Sequence, residues 1–150
     1  MAGERNKVSV TVESTADQDV IFDLLADGST WPDWSPIGSF RLAAEAPAGG
    51  EGVGAVRIFR SGPFTQYEEV VRVDAPNVFG YTLVKSKTLH VREYEVEVSL
   101  ASEGDGTEIT WAGSFVPLFP GTGGLWEGII EKFYTQFAEG LARHAEQLAS

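Results

Sequence analysis

The chain has 150 residues, 43% of them hydrophobic, which suits one domain over residues 1–150 with a buried core and leaves no room for a second. Its 22 acidic against 11 basic residues give a formal net charge of −11, which argues against nucleic acid and anionic membrane surfaces as partners. The absence of cysteine excludes disulfides and thiolate chemistry, and His90 and His144 lack a zinc spacing, so neither a metal nor another cofactor is expected.

The opening MAGERNKVSV carries no apolar signal-peptide stretch, and nowhere is there an apolar run of about 18 residues, so a cytoplasmic protein with no membrane span is expected. Val8, Val10 and Val12 alternate with Ser9, Thr11 and Glu13, the period of a strand with one buried face. Thr15 and Gln18 have capping-box spacing, and Val20, Ile21, Leu24 and Leu25 supply an apolar stripe, which predicts a short helix ending near Gly28. In WPDWSP at 31–36, two prolines prevent a long helix while Trp31 and Trp34 require burial, so a turn or one-turn helix is predicted there.

Six further strands are predicted at 38–45, 53–60, 66–74, 78–84, 90–100 and 107–116, separated by turn-forming segments that include 85–87. Their short links favour antiparallel neighbours, and an exposed strand edge allows either a monomer or a homodimer. Parity assigns inner faces. Ala55, Arg57 and Phe59 share one side, as do Glu68 and Val70, and Tyr81 is an inner candidate on the strand after them. His90, Arg92, Tyr94, Val96, Val98 and Leu100 form the next inner row, followed by Ile109, Trp111, Gly113 and Phe115. From Gly123 to Leu148 an amphipathic helix puts Trp126, Ile129, Ile130, Phe133, Tyr134, Phe137, Leu141, Ala145 and Leu148 on one face. At 1.5 Å per residue this rod is roughly 36 Å long and calls for a large apolar partner, which the sheet supplies.

The order of elements, the WPDWSP segment, GVGAVR at 52–57, the GDGT turn before Trp111 and the terminal helix together resemble the START-like helix-grip superfamily (SRPBCC), and within it the polyketide cyclase/dehydrase-like proteins. The resemblance covers nearly the whole chain. It implies an α+β helix-grip fold, in which a curved antiparallel seven-stranded sheet wraps around a long C-terminal helix and two short helices follow the first strand. It also implies a cavity between sheet and helix, a function that one fold leaves open. VGAVR at 53–57 followed by Ser61, Gly62, Pro63 and Phe64 looks like the strand and gate loop of plant hormone receptors. The leucine before the gate proline is missing, and the segment Thr88 to Val91 lacks the receptors' latch, which argues against hormone sensing. A mobile lid at 61–64 remains an expectation.

Either sheet and helix close into a solid core, or they leave a pocket for a small hydrophobic ligand that is lipid-like, aromatic or polyketide-like. In the second case the expected lining is Phe59, Val70, Tyr81, Arg92, Val96, Trp111 and Phe115 from the sheet and Trp126, Ile130, Phe133 and Phe137 from the helix. An alternative is a cofactor-independent cyclase or dehydratase, with Arg57, Glu68, His90 and Tyr94 as candidate catalytic groups: arginine and tyrosine stabilise an enolate, and a carboxylate or imidazole moves the proton. Equally, Arg57 and Glu68 form a structural pair, with His90 and Arg92 at a solvated strand end. A third reading is a protein-interaction or stress-related module using the outer row Glu93, Glu95 and Glu97.

Overall fold

The computed structural model describes residues 5–86 and 89–149. Lys87 of the predicted 85–87 turn, and Thr88, lie outside the described residues. Strand β1 (Asn6–Ser14) leads into helix α1 (Gln18–Ala26), a single 3-10 turn (Gly28–Thr30) and the one-turn helix α2 (Trp31–Trp34). Six strands follow, β2 (Ser39–Ala44), β3 (Val56–Ser61), β4 (Phe64–Asp74), β5 (Val78–Ser86), β6 (Val91–Glu103) and β7 (Gly106–Pro117), before the long helix α3 (Gly123–Ala149).

All seven strands form one antiparallel sheet in the order β1-β7-β6-β5-β4-β3-β2. The segment with α1 and α2 carries the chain from one edge strand to the other. From there each strand pairs with its predecessor until β7 reaches β1. Register shifts in β2, β4 and β6 mark bulges, which bend the strands and curve the sheet. The hollow side faces α3, which packs on β1, β7, α1 and α2. No helix among the described residues is long and apolar enough to cross a membrane.

Two glycines allow α3 to settle. A Cβ at Gly140 would collide with the Trp34 carbonyl oxygen, so α2 and α3 touch backbone to backbone there. A Cβ at Gly113 would collide with the Tyr134 hydroxyl, so this tyrosine reaches the floor of β7 only because the position has no side chain.

The expected capping box is absent. Asp17 is the N-cap of α1 and makes no side-chain cap bond. Gln18 instead donates to the Leu100 carbonyl at 3.0 Å and accepts from Ser102 at 2.6 Å, tying α1 to the end of β6. Satisfying a strand-end carbonyl outweighs closing a local ring that water can serve. Strand β3 starts three residues later than the predicted 53, because Gly54 has a φ of +98° and forms a turn.

The inward row on β6 is also corrected. Tyr94, Val96, Val98 and Leu100 are buried as the alternation requires, but Val91 is buried where Arg92 was expected, and His90 and Arg92 are exposed. The cause is a bulge between Arg92 and Glu95, where Glu93 adopts a φ of +51° and inverts the parity of everything before it.

Candidate functional site

A cavity of about 250 Å³ lies between the sheet and α3. Its wall is mostly aromatic and aliphatic: Trp31 from α2, Pro36 and Ile37 after it, Phe59 from β3, Tyr81 from β5, Leu89 and Tyr94 on the β6 side, and Ile130, Phe133, Tyr134 and Phe137 from α3. Ser61, Phe64, Gln66 and Glu68 complete it from the β3–β4 hairpin. Phe64 and Phe133 stay 46% and 38% exposed, which puts the opening between that hairpin and α3. Burying so much aromatic surface stabilises the fold, yet the rings leave a void instead of closing it.

Most of the sequence-derived candidates fall on or behind this wall. Phe59, Tyr81, Ile130, Phe133, Phe137, Glu68, Tyr94, Ser61 and Phe64 line the cavity. Val70, Val96, Trp111 and Phe115 are fully buried behind it, and Trp126 is half-buried near the start of α3. His90 and Arg92 are displaced outward by the β6 bulge. His90 rests against Phe119 and Trp126 with ring centroids 5.8 and 5.7 Å away, on the outside of the molecule. At the expected lid, Gly62 and Pro63 form a two-residue hairpin turn with Ser61 and Phe64 paired across it, and neither turn residue lines the cavity. The φ of +60° at Gly62 is the left-handed conformation that a primed turn demands at its first central position.

Five wall residues escaped the inner rows drawn on the sheet, namely Trp31, Pro36, Ile37, Gln66 and Leu89. Gln66 shares the parity of Glu68 and Val70 and was readable on that ground. Leu89 was hidden by the β6 bulge. Tyr134 was on the apolar helix face but was not singled out as a ligand-facing group.

Arg57 is 1% exposed and does not line the cavity. It stands behind Trp31 and Phe59, its guanidinium carbon 4.9 Å from each ring and 5.0 Å from Phe79. Nη1 donates to the Leu25 carbonyl at 3.1 Å, to which the Trp31 indole also donates at 3.1 Å. That carbonyl belongs to the last turn of α1, where backbone acceptors lack helical partners and a cation is favoured. Glu51 adds an ion pair: its Oε1 lies 3.5 Å from Nη1 and accepts from the Gly28 amide at 2.8 Å, while Nη2 is buried with no hydrogen-bond partner among the described residues.

Glu68 behaves differently from the expected structural pair. Arg57 and Glu68 are backbone partners in the β3–β4 register, as anticipated. The side-chain ion pair of Arg57, however, is with Glu51, and Oε1 of Glu68 is buried with no hydrogen-bond partner among the described residues. Desolvation pushes the Glu68 carboxyl up to about 7, against the opposing pull of Arg57. Three tyrosine hydroxyls share its field. Tyr81 accepts from the Trp111 indole at 3.2 Å, and Tyr94 and Tyr134 are hydrogen-bonded to each other at 2.5 Å. Burial raises all three above the ordinary phenol range, with Glu68 adding to the shift, so they remain neutral donors. Together they give the chamber one proton acceptor and a set of hydroxyl donors.

Outside the cavity, Glu13, Glu103 and Glu108 bring one carboxylate oxygen each within 4.8 Å of the others. They sit at a solvated sheet end, and none lines the cavity.

The fold and site together define a helix-grip domain with an internal chamber. Residues 5–146 match the family described as polyketide cyclase / dehydrase and lipid transport, and the chain belongs to that family. Solved structures agree on the fold. A START superfamily protein from Mycobacterium smegmatis is 19% identical with a TM-score of 0.81, covering 95% of this chain and 99% of that one. A protein from Thermobifida fusca is 20% identical with a TM-score of 0.79, over 95% of this chain and 94% of its own. The major latex-like protein 151 of Panax ginseng is 17% identical at 0.74, over 95% and 99%. No curated protein sequence matches the chain.

Proposed function

We propose that the protein binds a small, largely apolar molecule in the chamber between its sheet and α3. The observation that carries this reading is the aromatic-walled space of about 250 Å³ with the buried carboxyl of Glu68 on its wall. Apolar pockets with a few convergent polar groups are the usual form of small-molecule sites. Toluene serves as the test ligand, followed by NMR. Its binding is expected to perturb Trp31, Phe59 and Tyr81, and a Ser61→Trp variant that plugs the mouth while keeping the wild-type circular dichroism should abolish the effect. Perturbations confined to the outer surface, or unchanged in Ser61→Trp, would rule the reading out.

A second reading, proton transfer on a bound carbonyl compound, is supported by the Glu68 carboxyl titrating near 7 beside three tyrosine hydroxyls. In it Glu68 removes a proton next to the carbonyl, the hydroxyls of Tyr81, Tyr94 and Tyr134 stabilise the enolate oxygen, and Arg57 positions the wall from behind. Phenylacetone incubated in deuterated buffer should then exchange its benzylic protons about a hundredfold faster with the wild type than with Glu68→Gln, a typical loss for removing a general base. Equal exchange in the two proteins would exclude this chemistry.

A further inference from the structure

Glu68 is the one charged side chain among the described residues of the chamber wall. Cross-strand neighbours of opposite charge ordinarily meet side chain to side chain, and Arg57 stands opposite it in the ladder. Here the hydrogen bond and close ion pair of the guanidinium go to the Leu25 carbonyl and Glu51, although Glu68 remains its strongest charge partner, ahead of Glu51 and Asp27. The carboxyl, 7% exposed, is left with a buried oxygen that has no hydrogen-bond partner among the described residues. An ionised Glu68 therefore carries into a chamber of aromatic rings a negative charge that Arg57, behind the wall, offsets only in part. No described wall residue is basic, so an anionic amphiphile would set its own charge against Glu68 with no cation on the wall itself to receive it. Aromatic rings, by contrast, attract cations through their quadrupoles.

Size narrows the ligand further. An apolar cavity of about 150 Å³ holds a benzene molecule, and drug-sized sites begin at about 300 Å³. The 250 Å³ here suits one ring with a short arm and is too small for a long acyl chain. On the small-molecule reading above, we propose that the chamber takes a compact aromatic amine in its protonated form, with the ring against Trp31, Phe59 and Phe137 and the ammonium on Glu68.

The groups that share a field with Glu68 are Arg57 on β3, Tyr81 on β5, Tyr94 on β6 and Tyr134 on α3. The tyrosines stay neutral and the arginine stays protonated, so near neutral pH Glu68 is the member of this set whose charge changes. Binding an ammonium expels the Glu68 proton, and affinity falls up to about tenfold for each pH unit below 7.

The test is isothermal titration with three ligands that share a phenyl ring and differ in charge: 2-phenylethylamine, 2-phenylethanol and phenylacetate. At pH 8 the amine is expected to bind at least about tenfold more tightly than the alcohol, a typical gain for a charge-assisted hydrogen bond, with phenylacetate weakest. The amine-to-alcohol ratio should shrink at pH 5.5 in the wild type and collapse in Glu68→Gln. A preference for phenylacetate, a flat series, or an amine preference that survives both pH 5.5 and Glu68→Gln would overturn the assignment. If the alcohol and toluene bind while the amine shows no advantage, the ligand class falls and the chamber stands; if toluene also fails, both fall.

Discussion

Replacing Glu68 with glutamine is expected to stabilise the protein at pH 8 by about 3 kcal/mol, in contrast to the loss that most core substitutions produce. The reason is the direction of the Glu68 shift, up to about 7 in the folded protein from an ordinary carboxyl value near 4.5. Below about pH 4.5 both the folded and unfolded states hold the proton, and ionisation costs nothing. Between about 4.5 and 7 the unfolded chain releases the proton while the folded protein retains it, so wild-type stability falls as pH rises. Above 7 the folded state carries a buried carboxylate at full cost. Glutamine has nearly the same shape and no charge, so it removes the whole pH-dependent penalty. Urea denaturation should show the variant ahead by about 3 kcal/mol at pH 8 and by less than about 1 kcal/mol at pH 5. A variant equally destabilised at both pH values would mean that the carboxyl is held by structural partners.

Replacing Arg57 with alanine is expected to destabilise the protein by about 4 kcal/mol, lowering Tm by roughly 10 °C for a domain of this size. The guanidinium is in contact distance of three aromatic rings, supplies a donor to the end of α1 and neutralises Glu51. Its removal opens a void behind Trp31 and Phe59 and leaves Glu51 half-buried with only the Gly28 amide. Glu68 should respond too. Arg57 is the cation that pulls its carboxyl down against burial, so in Arg57→Ala the midpoint moves above 7, readable from the side-chain carboxyl carbon by NMR. A loss below about 1 kcal/mol with an unmoved Glu68 midpoint would show that the guanidinium is solvated and remote from the chamber.

How much of this was legible in the sequence depends on whether the signal was local. The α3 helix and the seven strands follow from hydrophobic period and turn chemistry, and the burial of Ala55, Arg57, Phe59, Glu68 and Val70 follows from parity alone. Parity fails where backbone geometry intervenes. One residue with positive φ at Glu93 moves His90 and Arg92 from the inner row to solvent, and polar residues with φ above zero leave no clear trace in composition. The choice of Glu51 over Glu68 as partner of Arg57 was equally out of reach. It depends on a loop folding back over the end of α1, a long-range contact that no spacing encodes. The same holds for Trp31, whose burial was readable from composition while its place on the chamber wall depends on α3 docking against α2 at Gly140.

All of these expectations depend on the space between sheet and α3 being real and accessible. The most direct measurement is a crystal structure of the protein grown with toluene. Density for one ring enclosed by Trp31, Phe59 and Phe137, near Glu68, is the expected result. Rings closed onto one another with no room between them, or toluene found only on the outer surface, would contradict it.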